Sequence, residues 1–192
     1  RRNTRQRLDS THVFGLVSKM SRVESLRQTL RLALEELAEV VDVPARPEPW
    51  GVWWSLYVES QLDYRASREV LGSKMAEAGA DAARILAWLA QHPELAVGEQ
   101  ARLLARVFDE QFILEAGEFR PRGKGEFDSG RVQNPLDPEC TYGVKQQGGE
   151  AKAHVGYKAQ VSETVVESTL EEGEPTRNFV TAIAIQPAHH SD

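Results

Sequence analysis

Leu8-Asp9-Ser10-Thr11-His12-Val13-Phe14 is the stretch on which the fold turns. In an extended chain Leu8, Ser10, His12 and Phe14 fall on one side and Asp9, Thr11 and Val13 on the other, which is the period of a β-strand. The pattern covers residues 8–17 and then stops. A lone strand leaves a row of backbone N–H and C=O groups unpaired, so this one needs partners from elsewhere in the chain. Two candidates come more than a hundred residues later, at 154–166 and 178–186. In the first, Val155, Tyr157, Ala159 and Val161 alternate with Gly156, Lys158, Gln160 and Ser162, which predicts a half-buried strand. In the second, residues 179–185 form a near-continuous apolar run, the pattern of a strand buried on both faces. A Glu- and Gly-rich turn at 171–175 joins the two as a hairpin.

Between the first strand and this hairpin the period changes. Val23, Leu26, Leu30, Leu34, Leu37 and Val41 recur every three or four residues and make one apolar stripe. Ser21 and Glu24 have capping-box spacing at its start. Pro44, Pro47 and Pro49 end that helix, and Trp50, Trp53, Trp54, Tyr57 and Val58 open another. Ser67 is placed to cap a segment through Met75, Ile85 and Leu89, weakened locally by Gly72 and Gly79. After Pro93, Val97, Ala101, Leu104, Phe108 and Phe112 form a last amphipathic helix. Residues 19–116 are therefore expected to be almost entirely helical, packing as a bundle over Leu30, Leu34, Trp54, Leu89, Leu104 and Phe108. Nine Gly and Pro residues between 120 and 149 predict a long loop. The expected organisation is a first strand in 1–18, helices in 19–118, a loop in 119–150 and the later strands in 151–192. The fold class is mixed α and β: a sheet interrupted by a large all-helical insertion.

Composition narrows the function. An apolar fraction of 41% with 27% charged residues is that of a globular protein. No apolar run reaches the roughly 18–20 residues of a membrane span, and the start Arg1-Arg2-Asn3-Thr4-Arg5-Gln6-Arg7 is not a secretory signal. It lacks an initiator Met, so residues upstream are expected. The single cysteine, Cys140, makes neither an internal disulfide nor a multi-cysteine zinc site, which points to a reducing cytoplasm. Net charge is −6, but residues 1–18 carry four Arg against one Asp. Any contact with DNA must be local, because the overall field repels a phosphate backbone.

Asp9 is the residue with the most chemical content. A carboxylate inside a strand opposes strand propensity, and burying it is costly unless it pairs or holds a metal. Two-metal phosphoryl-transfer sites use such hard oxygen ligands on rigid strands. An aspartate in an Asx-turn, or on a strand surface, reads the same locally. Ser10 and His12 share a strand face but have no orienting acid, so no triad is indicated. His189, His190 and Asp192 read as a solvated tail rather than a metal cluster.

Taken in order, Asp9-Ser10-Thr11-His12-Val13, the amphipathic helix after it, Asp137-Pro138-Glu139-Cys140-Thr141-Tyr142-Gly143, Val155-Gly156-Tyr157-Lys158-Ala159-Gln160-Val161, Phe179-Val180-Thr181-Ala182-Ile183 and Gln186-Pro187-Ala188 resemble DDE transposases of bacterial insertion sequences. The resemblance spans nearly the whole chain. It implies an RNase H-like fold, with Asp9 as the first catalytic, metal-binding aspartate and the strands at 154–166 and 178–186 as the next two. It also implies Mg²⁺ or Mn²⁺ as cofactor, DNA as partner (terminal repeats and target) and transposition by strand cleavage and transfer in a bacterial cytoplasm, with a possible homodimer. The second Asp and the Glu of the family are expected after Asp192, so the 192-residue chain is expected not to turn over. Gln160 departs from the His that many relatives carry after Gly-Tyr-Lys-x. Lys158 is a candidate DNA contact or else a solvated strand lysine. The alternative readings are a non-catalytic DNA- or protein-binding fragment and a decayed remnant.

Overall fold

Helix α1 (Arg22–Val40) begins where its capping box predicts: the Ser21 hydroxyl accepts from the Glu24 backbone N–H at 3.3 Å, and the Glu24 carboxylate accepts from the Ser21 N–H at 3.2 Å. The computed structural model describes residues 5–14, 20–61, 65–128, 130–147, 150–165 and 179–189. It contains helices and small antiparallel sheets. The chain divides into two compact units, one of residues 18–138 and one of residues 1–17 with 139–192.

In the first unit α1 is followed by a short 3-10 turn (Val43–Ala45), α2 (Trp50–Trp54), a π-helical turn (Ser55–Glu59), α3 (Arg68–Leu89), α4 (Pro93–Ala96) and α5 (Glu99–Gln111). The α1 stripe is buried against Ala78, Ala82, Ile85 and Leu89 of α3 and Ala101, Leu104 and Val107 of α5. Of the expected core, Leu30, Leu34, Leu89, Leu104 and Phe108 are buried. Trp54 is only partly buried; Trp50, Trp53 and Tyr57 are the residues turned inward. Their spacing of three and four puts them on one face, and Trp54 stacks on the shoulder of Trp50 at 6.4 Å between ring centroids.

The helical expectation for 19–116 is corrected at its end. Phe112, read as the last residue of a helical stripe, starts strand β2 (Phe112–Glu115), which pairs antiparallel with β3 (Glu118–Pro121). The hairpin turns at Ala116 and Gly117, with φ of 53° and 86°. Positive φ at both central residues suits the twist of a two-residue hairpin loop, and glycine takes it without strain. Phe112 stays buried and stacks on Phe108 at 4.9 Å, so its side chain serves the core either way.

The two glycines of α3 have opposite roles. A Cβ at Gly72 would meet nothing within 4 Å, whereas one at Gly79 would run into the Phe112 ring. Gly72→Ala is expected to raise stability by about 0.5–1 kcal/mol through the cost of glycine in a helix. Gly79→Ala is expected to lower it by about 1–3 kcal/mol by overpacking. Urea unfolding of both variants checks this, and a stabilising Gly79→Ala would contradict the close approach of Phe112.

The π-helical turn brings Tyr57 to a buried polar contact. Its hydroxyl donates to Asp81 Oδ2 at 2.6 Å, Arg84 Nη1 lies 3.2 Å from Asp81 Oδ1, and the Arg27 guanidinium sits 5.0 Å from the Tyr57 ring centre. Burial, and then the hydrogen bond to the Asp81 carboxylate, push the Tyr57 hydroxyl pKa well above its ordinary value. The unfolded chain releases this proton near pH 10 while the folded chain keeps it. Stability from this group is therefore complete below about pH 10 and falls above it by up to about 1.4 kcal/mol per pH unit. Tyr57→Phe is expected to cost about 1–3 kcal/mol at neutral pH, because Asp81 loses a buried partner. The gap between wild type and variant should narrow between about pH 10 and 11 in urea titrations; a constant gap would refute the linkage.

In the second unit the strands are β1 (Arg5–Phe14), β4 (Thr141–Gln147), β5 (Glu150–Val165) and β6 (Val180–Pro187). The long strand β5 organises them. Its first half pairs with β4, and its second half pairs with both β1 and β6, all antiparallel. Since β1 and β6 occupy the same stretch of β5, they must lie on its two opposite edges. The strand that needed a partner therefore has one: Asp9 is opposite Val161.

Three expectations change here. The loop assigned to 119–150 contains most of β3 and all of β4. Strand β5 begins at Glu150, earlier than the alternating pattern suggested. Strand β6 is not buried on both faces: Ile183 and Ile185 are 66% and 68% exposed, and Phe179 and Val180 are exposed as well. The apolar run set the strand, but burial requires a layer over it, and the described residues of this unit include no helix. Residues 15–17 of the first strand and the turn at 171–175 lie outside the described residues.

Candidate functional site

The sheet has two faces of different chemistry, and register sorts them. Asp9 is opposite Val161, and Val161 is opposite Ile183 on the other edge. Thr11 with Ala159 and Ile185, and Val13 with Tyr157 and Pro187, are further positions of the same face. The other face takes Ser10 with Gln160 and Ala184, and His12 with Lys158 and Gln186. Asp9 is thus flanked across the ladder by apolar Val161 and Ile183, with Thr11 and the Arg7–Glu163 pair at further positions of the same face.

Asp9 and Lys158 are not brought together. Lys158 is opposite His12, three positions along β1 from Asp9, and an odd separation puts the two on opposite faces. Lys158 is also only 9% exposed, so it is not a solvated strand lysine. Lysine is almost never this buried without internal partners, and little of its surface remains for a DNA backbone.

The segments that carry the resemblance converge elsewhere in the sheet. Thr141 and Phe14 are both opposite Gly156, Tyr157 is opposite Pro187, and the Ala188 N–H donates to the Gly156 carbonyl at 3.2 Å. A Cβ at Gly143 would sit 2.5 Å from the Ala188 carbonyl oxygen and 2.8 Å from His154 Cε1, so only glycine allows this approach. The side chain of His189, expected to be part of a solvated tail, is held here: its Nδ1 lies 2.9 Å from the Thr141 hydroxyl, which also accepts from the His189 N–H at 3.2 Å. His190 and Asp192 are outside the described residues. Cys140 is buried and forms no disulfide with the described residues. The Tyr142-Gly143, Gly156-Tyr157 and Pro187-Ala188 pairs therefore account for close packing of three strands. This junction lies five residues, roughly 17 Å, along β5 from the position opposite Asp9.

The fit to a metal can be judged from the donors. Asp9 offers one hard oxygen ligand of the kind Mg²⁺ takes. Its register neighbours Val161 and Ile183 add none, and the next acid on that face, Glu163, lies 3.9 Å from Arg7 Nε. Among the described residues no group of three or more His, Cys, Asp or Glu is gathered closely enough to hold an ion. Asp9 would hold an ion only together with further acids. Among the described residues, too, no helix is long and apolar enough to cross a membrane. Compared with protein-family models, with curated proteins and with solved structures, the chain finds no match.

Proposed function

We propose that this chain is part of a DDE transposase catalytic domain, with an RNase H-like sheet into which the helical unit is inserted, and that Asp9 is its first catalytic aspartate. One observation carries the reading: the strand of Asp9 is laddered over ten residues to β5, with the whole helical unit lying between them in sequence. Asp9 would help to hold a divalent ion, whose chemistry would be activation of water for attack on a DNA phosphodiester. Within this chain the role of β1 is to fix the Asp9 backbone on a paired strand. A non-catalytic protein-binding role takes its support from the exposed Phe179, Val180, Ile183 and Ile185, apolar surface of the kind that marks contact sites.

Cleavage of DNA that carries insertion-sequence ends separates the two. The 192-residue chain should not cut with Mg²⁺ or Mn²⁺, and a polypeptide that continues this sequence through two further acids should. Cutting by the 192-residue chain would show that the acids have been misplaced. Failure of both, together with capture of a protein partner through β6, would favour the binding role.

A further inference from the structure

Arg22, the first residue of α1, and Arg131, in the segment after β3, share one aromatic ring. Their guanidinium carbons lie 4.6 and 4.2 Å from the centre of Phe127. Each contact is a favourable cation–π arrangement, but together they gather two positive charges. Among the described residues neither guanidinium has a carboxylate within ion-pair distance. Arg22 donates only to neutral acceptors: the Gln111 side-chain oxygen at 2.7 Å, the Gln111 carbonyl at 3.1 Å and the Arg122 carbonyl at 2.8 Å. That uses three of the five N–H groups of a guanidinium.

Two donors at this place have no partner among the described residues. Arg131 Nη1 is shut off from solvent without a hydrogen bond, and so is the hydroxyl of Ser25, a residue only 3% exposed. Leaving a buried donor unmet is costly, more so when it is charged. Arg22, Ser25, Gln111, Arg131 and Gln133 line a cavity of about 150 Å³, and no acidic residue among the described ones lines it. The first turn of α1 borders the same cavity through Ser21 and Arg22, with its own N–H groups at Ser21 and Glu24 already met by the capping box. Burial, and then the charge of Arg131, lower the Arg22 pKa, as expected where positive charge is concentrated without a counter-ion. The volume falls below the roughly 300–1,000 Å³ of pockets for organic ligands and suits a small oxyanion.

We propose that this cavity binds a phosphoryl oxyanion, held by the guanidiniums of Arg22 and Arg131 and by the Ser25 hydroxyl at the start of α1. The inference concerns the helical unit alone and does not rest on the transposase reading. The phosphoryl group is either free phosphate or a phosphate of a DNA backbone.

The test is thermal unfolding of the full chain at fixed ionic strength, in sodium chloride alone and with inorganic phosphate replacing part of it. Phosphate at several times its Kd should raise the wild-type Tm by roughly 2–4 °C above the chloride control. Ser25→Ala removes an unmet donor, so in chloride it should keep the wild-type Tm or exceed it; Arg131→Gln relieves one but gives up the Phe127 cation–π contact, so its Tm in chloride should stay close to wild type. In phosphate each should bind about tenfold more weakly or worse. Weaker phosphate binding without a loss of Tm in chloride is what a merely structural role cannot produce. Titration of wild type followed by ³¹P line broadening reads binding without any variant. A DNA duplex that displaces the phosphate assigns the site to a backbone phosphate; one that leaves it bound assigns the site to free phosphate. Absence of a phosphate effect beyond chloride, or variants that respond as wild type does, would overturn the proposal.

Discussion

Asp9→Asn is expected to abolish metal-dependent DNA cleavage in a polypeptide that continues this sequence through the two further acids, and to leave the fold unchanged. The amide is nearly isosteric with the carboxylate, and β1 is held by its backbone ladder to β5, so the substitution has no reason to disturb pairing. What it removes is one negative charge. Two divalent ions about 4 Å apart repel strongly and need the charge of several carboxylates to stay in place. Circular dichroism and Tm should therefore match wild type while cleavage disappears. Undiminished cleavage by Asp9→Asn would place the first aspartate elsewhere and remove the centre of the family reading. A variant that unfolds would show instead that Asp9 has a structural partner, which Asp9→Ala and Asp9→Ser would then report by their cost in Tm.

Leu30→Ala is expected to be the most damaging single truncation in the helical unit, at about 3–5 kcal/mol. Leu30 is at 0% exposure midway along α1, between Leu26 and Leu34 on the buried stripe. Truncation loses the transfer free energy of the removed carbons and leaves a cavity that helices packed on both α3 and α5 cannot close. Folded domains are stable by only about 5–15 kcal/mol, so this is a large share of the total. The Tm of this unit should fall by roughly 10 °C. Val97→Ala is the control: Val97 is exposed, and its truncation should change stability by no more than about 0.5 kcal/mol. A loss at Leu30 as small as at Val97 would mean that the bundle is not the core of a folded unit.

The features legible in the sequence are those set within one or two helical turns, or by strand alternation. The stripe from Val23 to Val41 and the capping box of Ser21 and Glu24 are local patterns, and both form as written. The need of the Asp9 strand for a later partner was legible too, because an unpaired backbone has to be satisfied somewhere. The β2–β3 hairpin carried a weaker signal in Ala116-Gly117, masked by the helical spacing that runs on to Phe112.

Contacts between distant segments decided the rest. The N-cap of α5 is Gly98, which has no capping side chain; the first N–H groups of the helix are met instead by Glu36 of α1, which accepts from Gln100 and Ala101 at 3.1 Å. Nothing near residue 98 announces a carboxylate from some sixty residues earlier. The buried link of Tyr57 to Asp81 and the pairing of Arg22 with Arg131 around Phe127 are of the same kind. Register decided the candidate site: ten consecutive pairs put Asp9 opposite Val161 and Lys158 opposite His12, separating onto two faces residues that composition alone left free to meet. Burial followed the same rule. The polar Lys158 is enclosed and the apolar Ile183 and Ile185 are exposed, because hydropathy sets what a side chain would gain by burial, and only the surrounding layers determine whether it is covered.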